Sequence, residues 1–232
     1  MSDSKSCSNH ATTFPVLALL FASAVSVILT GFRVIQTGHW GYLTLSWNLF
    51  LAWLPLVFAL GVGRLHRSAR RNSWKLYSLG GLWLLFFPNA PYIFTDLIHL
   101  NTWFRDHYWV DLTLILLVAL TGFLLGFISL YLMQSMVADR VGRAASWLFI
   151  LVVAGLSGFG IYLGRILRWN SWDVLIHPVG LSQDIGRWAA HPLANSTSVA
   201  FPVAFAIFLF VGYLMLYALT HLQPAQARDL AA

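Results

Sequence analysis

The sequence predicts an all-α protein, a polytopic transmembrane bundle of about six helices with both termini in the cytoplasm. Three observations predict it. Of 232 residues, 59% are hydrophobic and only 9% are charged, whereas a soluble domain carries about 25% charged residues. Apolar stretches that reach or approach the roughly 20 residues needed to cross a hydrocarbon core about 30 Å thick recur along the whole chain. The Lys and Arg residues between them are unevenly shared. With the N-terminus inside, Lys5, Arg64, Arg67, Arg70, Arg71, Lys75, Arg140, Arg143 and Arg228 lie on the inner side, and only Arg33, Arg105, Arg165, Arg168 and Arg187 on the outer. That bias sets orientation.

The first span, Phe14–Gly31, contains Ala22-Ser-Ala24 after a short apolar run, as a signal-peptide cleavage site would. The run continues through Val25–Leu29, which favours an uncleaved anchor. The second, Trp47–Gly63, follows Ser46 as a natural N-cap and contains Pro55, which deprives the Leu51 carbonyl of its helical partner. The third, Leu76–Phe94, carries Phe86-Phe-Pro-Asn-Ala-Pro-Tyr92. Its two prolines release the carbonyls of Leu84 and Phe87 well inside the hydrocarbon, where irregular backbone is tolerated only when buried in protein or lining a wet cavity. The fourth and fifth, Asp111–Met133 and Ala145–Ile166, each hold a GxxxG motif, Gly122/Gly126 and Gly160/Gly164, which predicts close packing of these two helices. The sixth is Val199–Leu219. Between the last two, residues 174–198 leave a surface helix open, with Pro178 interrupting. The division is a mobile polar tail over residues 1–12, one six-helix domain over 13–220 and a cytoplasmic tail over 221–232.

Composition removes several function classes. The one cysteine, Cys7, allows no internal disulfide and no thiolate metal cluster. The net charge of +6 sits in short loops between apolar runs, so topology accounts for it and nucleic acid is not implied. The most basic loop, Arg64–Lys75, reads as an anchor lying on anionic lipid. No cofactor is implied, the bilayer is the evident partner, and the oligomeric state is open.

Polar residues collect at the outer side. Asn48 opens the second span, Asn89 sits in the proline break, and Asp96 and His99 follow at i, i+3. His107 and Asp111 come next, at i, i+4, where the fourth span begins. Arg165, Arg168, Asn170, Trp172 and Asp173 leave the fifth span. Two readings compete for each. Asn48, Thr95, Asp96 and Asp111 suit helix starts, and Arg165 and Arg168, read as one helical face, suit a helix C-terminus. Functionally, the two arginines would hold a phosphate or carboxylate, oriented by Asp173 or Asp111. Asp96, His99 and Asp111 would then be candidates for acid–base chemistry. Asp96, His99, His107 and Asp111 are the weaker candidates for an oxygen/nitrogen metal site. Gly155-Leu-Ser-Gly158 matches the GxSG of rhomboid proteases, but the sixth span has no histidine to act as base.

The segments Asn48–Trp53, Phe87–Tyr92 with Asp96 and His99, and Gly160–Arg165 with Arg168–Asp173 resemble those of a bacterial membrane family, domain of unknown function 1361, over roughly residues 15–220. The resemblance implies a bacterial multi-pass membrane protein and lends no activity. The leading function is therefore an inner-membrane protein that binds a lipid or protein partner through the polar Arg/Asp/Trp cluster on its outer face, an anionic lipid or lipid-linked phosphate among the candidates. The alternatives are an intramembrane enzyme acting on a lipid or lipid-linked phosphate, and a small-solute transporter.

Overall fold

A computed structural model describes residues 3–67, 73–101, 107–191 and 196–221, with the side chains of 15–67, 73–100, 107–191 and 197–221. Among the described residues all regular structure is helical. Stretches long and apolar enough to cross a membrane run over Pro15–Thr37, Trp40–Arg67, Tyr108–Val141, Arg143–Arg165 and Thr197–Thr220. These correspond to five of the six expected spans. The third is broken.

Helix α1 (Asp3–Thr37) leads through a 3₁₀ turn, Trp40–Tyr42, into α2 (Leu43–Arg67). The second helix thus starts earlier than expected, and Ser46 lies inside it rather than at its cap. Then come α3 (Ser73–Phe86), the four-residue α4 (Asn89–Tyr92) and a 3₁₀ segment, Ile93–Asn101. The long α5 (Tyr108–Val141) and α6 (Arg143–Arg165) are joined by Gly142. Its φ of 89° belongs to glycine and lets the chain reverse in one residue. Residues 174–198 do contain a surface helix. After the short α7 (Asp173–Ile176), α8 (Pro178–Ala190) begins with Pro178 in its first turn, where a missing N–H costs nothing. Helix α9 (Ser196–Thr220) ends the bundle.

The core sits on α5, which packs against α1, α2, α4, the 3₁₀ segment, α6 and α9. Leu45, Leu49, Ala52, Leu56 and Ala59 of α2 are buried at helical spacing, and Leu114, Val118 and Leu125 of α5 are buried with them. Thr37, Tyr92 and Arg165 end their elements at what we call the aromatic end of the bundle. The opposite, basic end gathers Arg67, Ser73, Val141 and Arg143.

The two GxxxG motifs do not serve α5–α6 contact as expected. Both receive the broken third span. A Cβ on Gly122 would lie 2.7 Å from Ile93 Cδ1 and 2.9 Å from the Ala90 carbonyl oxygen. One on Gly126 would lie 2.9 Å from Ala90 Cβ, and one on Gly160 would lie 2.8 Å from Pro88 Cγ. Glycine at these positions admits the irregular segment between α5 and α6. Gly158, beside them, receives the backbone of α9 at Pro202 and Ala206.

Candidate functional site

The proline break frees backbone carbonyls, and three of them find other donors, one of these far along the chain. Phe87's carbonyl accepts from the Ala90 N–H at 3.1 Å. Asn89 Nδ2 donates to the Phe86 carbonyl at 2.9 Å and to Ser171 Oγ at 3.1 Å, while Ser171 Oγ donates to the Leu85 carbonyl at 3.2 Å. The segment following α6 is thereby stitched to the break.

A cavity of about 180 Å³ opens beside this seam. Trp47, Asn48 and Leu51 of α2 form one wall, and Leu85, Pro88, Asn89 and Tyr92 form the second. Gly160, Leu163 and Gly164 of α6 form the third, with Trp169, Asn170, Ser171 and Trp172 over the mouth. The Trp47 and Trp172 rings meet edge-on with centroids 6.3 Å apart. Glycine at 160 and 164 lets Pro88 and Tyr92 close against the α6 wall. Among the described residues the lining offers amide, hydroxyl, phenol and indole groups and no charged side chain.

Behind the Asn48–Tyr92 side lies an ionic network. Asp96, 3% exposed, accepts from Asn48 Nδ2 at 2.8 Å and from Arg165 Nη1 at 3.3 Å. Arg165 Nη1 also reaches the Tyr92 hydroxyl at 3.4 Å. Its Nη2 donates to the Thr95 carbonyl at 2.5 Å and meets His99 Nε2 at 3.2 Å. An arginine has no acceptor, so His99 Nε2 receives that bond as a neutral ring. Burial, with the Arg165 charge adding to it, holds His99 below the usual histidine range against the opposite pull of Asp96. Burial likewise pushes the Asp96 carboxyl up, against the Asn48 hydrogen bond and the Arg165 charge.

The expected cluster therefore divides. Asn48, Asn89, Asn170 and Trp172 line the cavity; Asp96, His99 and Arg165 form the network beside it. Arg165 and Arg168 are not one face, because α6 ends at Arg165. Leu167 N–H returns to the Tyr162 carbonyl and Trp169 N–H to that of Leu163. Arg168 between them is exposed with φ 62°, a left-handed conformation that costs a non-glycine residue roughly 1–2 kcal/mol. Asp173 does not orient an arginine. It accepts from the Asn170 N–H at 2.7 Å and faces His177 Nδ1 at 3.4 Å, so it folds its own loop. The Asn170 backbone bond holds its carboxyl below the usual range. Thr95 is not a cap, since its hydroxyl bonds back to the Tyr92 carbonyl.

Asp111 belongs to a separate buried cluster. It accepts from Arg33 Nε at 2.8 Å and Nη2 at 2.9 Å and from the Tyr42 hydroxyl at 2.9 Å. Arg33 Nη1 also donates to Gln36 Oε1 at 2.6 Å. Arg33 was read as an outer-loop cation and is instead 3% exposed. An arginine two residues beyond the apolar run Phe14–Gly31 is the available signal. His107 is the residue before α5, and Asp111 is committed elsewhere, so the four residues weighed as metal ligands do not converge. Among the described residues no three His, Cys or Asp side chains gather as a metal site would need. Ser157 of the GxSG segment is fully buried with no hydrogen-bond partner, and it does not line the cavity. Trp103, Arg105 and Asp106 lie outside the described residues, as do Arg70, Arg71 and the expected C-terminal tail after His221. The sequence reading places Trp169 beside the arginine pair but does not mark Trp47, Tyr92 and Ser171 as site residues, because only folding brings their three segments together.

No curated protein and no solved structure matches the chain. The family match begins at the start of the second span, leaving α1 and the Arg33 cluster's first-helix half outside it, where the sequence resemblance had been taken from about residue 15. The chain belongs to the family described as Protein of unknown function (DUF1361), whose model matches residues 47–220.

Proposed function

We propose that this protein is a multi-pass bacterial inner-membrane protein that binds the neutral, hydroxyl-bearing head of a lipid, such as a sugar, in the cavity at its aromatic end. One observation carries the reading: among the described residues the cavity wall holds Asn48, Asn89, Asn170 and Ser171 beside Trp47, Trp169 and Trp172, and no charge. Amides and a hydroxyl exchange hydrogen bonds with ring hydroxyls, and indole faces and edges supply apolar area with a polar tip. Pockets of 300–1,000 Å³ enclose whole drug-sized ligands; a smaller one suits a headgroup whose tail stays in lipid. A phosphate is disfavoured, since Arg165, 16% exposed at its side chain, already serves Asp96, Thr95, Tyr92 and His99. Acid–base catalysis is less well supported than binding, because among the described residues the sole titratable lining side chain is Tyr92. Transport is less well supported too. Below the break the interior is Trp83, Phe87, Leu130, Ile150 and Val153, and Thr121 bonds back to its own helix at Leu117.

The test is thermal unfolding in detergent with added glucosyl-diacylglycerol, phosphatidylglycerol or phosphatidylcholine of matched chains. The glucosyl lipid is expected to raise the midpoint most, and Trp47→Ala with Trp172→Ala to remove that gain. A gain from phosphatidylglycerol that disappears with the same two substitutions overturns the neutral-head reading. If the two substitutions leave every lipid response unchanged, the cavity does not bind lipid heads.

A further inference from the structure

At the opposite end of the bundle, α2 and α3 leave an open groove of about 520 Å³. Gly61 on α2 and Ser78 and Leu79 on α3 form its floor and walls, and Arg64, Lys75 and Trp74 stand at its mouth. The spacing is helical on both sides: Gly61 and Arg64 are three apart, and Trp74 and Ser78 are four apart. Gly61 keeps the floor deep, since a Cβ there would stand 3.3 Å from Leu79 Cδ1. Arg64, Trp74 and Lys75 are exposed. Among the described residues no acidic side chain pairs with Arg64 or Lys75. The nearest acidic lining, Asp139, belongs to a different cleft with His66 and Arg67.

We infer that this groove is a seat for one anionic phospholipid. The apolar wall takes an acyl chain. The guanidinium and ammonium at the mouth take the phosphodiester, one as a planar fork and the other as a point charge. The Trp74 indole lies at headgroup depth, as tryptophan does at membrane boundaries. Two cations without a carboxylate select against zwitterionic heads, whose ammonium they repel. The occupant is a membrane lipid and not free phosphate, because an ion in solution has no use for the channel between Gly61 and Leu79. This seat is independent of the aromatic-end cavity in position and in charge.

The experiment is native mass spectrometry of the full chain released from vesicles of equal phosphatidylglycerol and phosphatidylcholine, with lipid titrations in detergent for affinity. One retained phosphatidylglycerol is expected. Arg64→Gln and Lys75→Gln are each expected to weaken it about five-fold, with circular dichroism unchanged. Ser78→Phe, an exposed position that fills the groove, is expected to lose the lipid while keeping both cations. Arg140→Gln with Arg143→Gln, which removes twice the charge of either single change at the same end, is expected to keep it. Equal loss from the Arg140/Arg143 pair overturns the seat in favour of general surface charge. Retention by Ser78→Phe, or full competition by glycerol phosphate in solution, overturns it as an acyl groove.

Discussion

Arg165 and Asp96 show what a single charged pair does at this depth. Both charges are met by protein groups. Asp96 is nearly enclosed, and Arg165 is bonded to three parts of one segment, at Tyr92, Thr95 and His99, as well as to Asp96 itself. Removing one partner leaves the other charged and unpaired, which costs about 3–5 kcal/mol in buried pairs. Asp96→Asn and Arg165→Gln are each expected to lower the unfolding midpoint sharply, and the double variant to cost less than their sum. Additive losses would mean the two do not act as a pair. His99 adds a pH dependence with a definite sign. Its folded value lies below the ordinary one, so as pH falls below about 6.5 the unfolded chain takes up the proton first. The stability tied to neutral His99 is full above that pH and is lost as pH falls toward the folded value. Asp96, raised by burial, has the opposite sign: its contribution is present below about 4 and is lost as pH rises through its folded value. Over pH 7.5 to 5.5 the His99 effect is expected to lower the midpoint on acidification, and His99→Gln to flatten that fall. An unchanged slope would assign the dependence to another group.

Among the elements, the broken third span is the part whose existence was readable and whose setting was not. Pro88 and Pro91 announce a break because proline lacks an N–H, and the membrane then demands substitute donors. That Asn89 and Ser171 are those donors depends on a partner 82 residues away, which no local pattern encodes. The GxxxG motifs behaved similarly. Their spacing marks a face that something approaches closely, but the spacing does not name the partner, and here it is α4 and its flanks. The apparent Arg165/Arg168 face failed because helical periodicity was extended three residues past the true helix end. The packing of α4 has a direct test. Gly126→Ala brings its methyl to 2.9 Å from Ala90 Cβ, and overpacking of this kind costs about 1–3 kcal/mol. Adding Ala90→Gly removes the opposing methyl, so the double variant is expected to be less destabilised than the two single changes summed. Strict additivity, read from thermal unfolding in detergent, would show that the segment shifts freely and is not gripped.

For the whole molecule, the order of helices makes the two ends chemically unlike and places the start of α1 and the end of α9 at the same one. Helix α1 runs to the aromatic end at Thr37, α2 returns to the basic end at Arg67, and the third, broken span climbs again to Tyr92. Helices α5, α6 and α9 then descend, ascend and descend. An even number of crossings leaves residues near Cys7 and near His221 at the basic end, with Arg64, Lys75, Arg140 and Arg143. If that end faces the cytoplasm, as the charge bias requires, the aromatic-end cavity opens to the other side and is supplied from the outer leaflet. The single cysteine makes this measurable without engineering the first probe. In intact cells a membrane-impermeant maleimide is expected to leave Cys7 unlabelled until the membrane is permeabilised. A Cys7→Ser, Ser182→Cys chain carries its thiol on the exposed face of α8 and is expected to be labelled at once. The reverse pattern would invert the bundle, turning the cavity to the cytoplasm and the anionic-lipid groove to the outer leaflet. Labelling of both sites in intact cells would mean an even number of crossings between them, so that the broken third span does not traverse the membrane. The dependence on that one element is useful, because it links the orientation of the whole chain to the same proline break that builds the cavity.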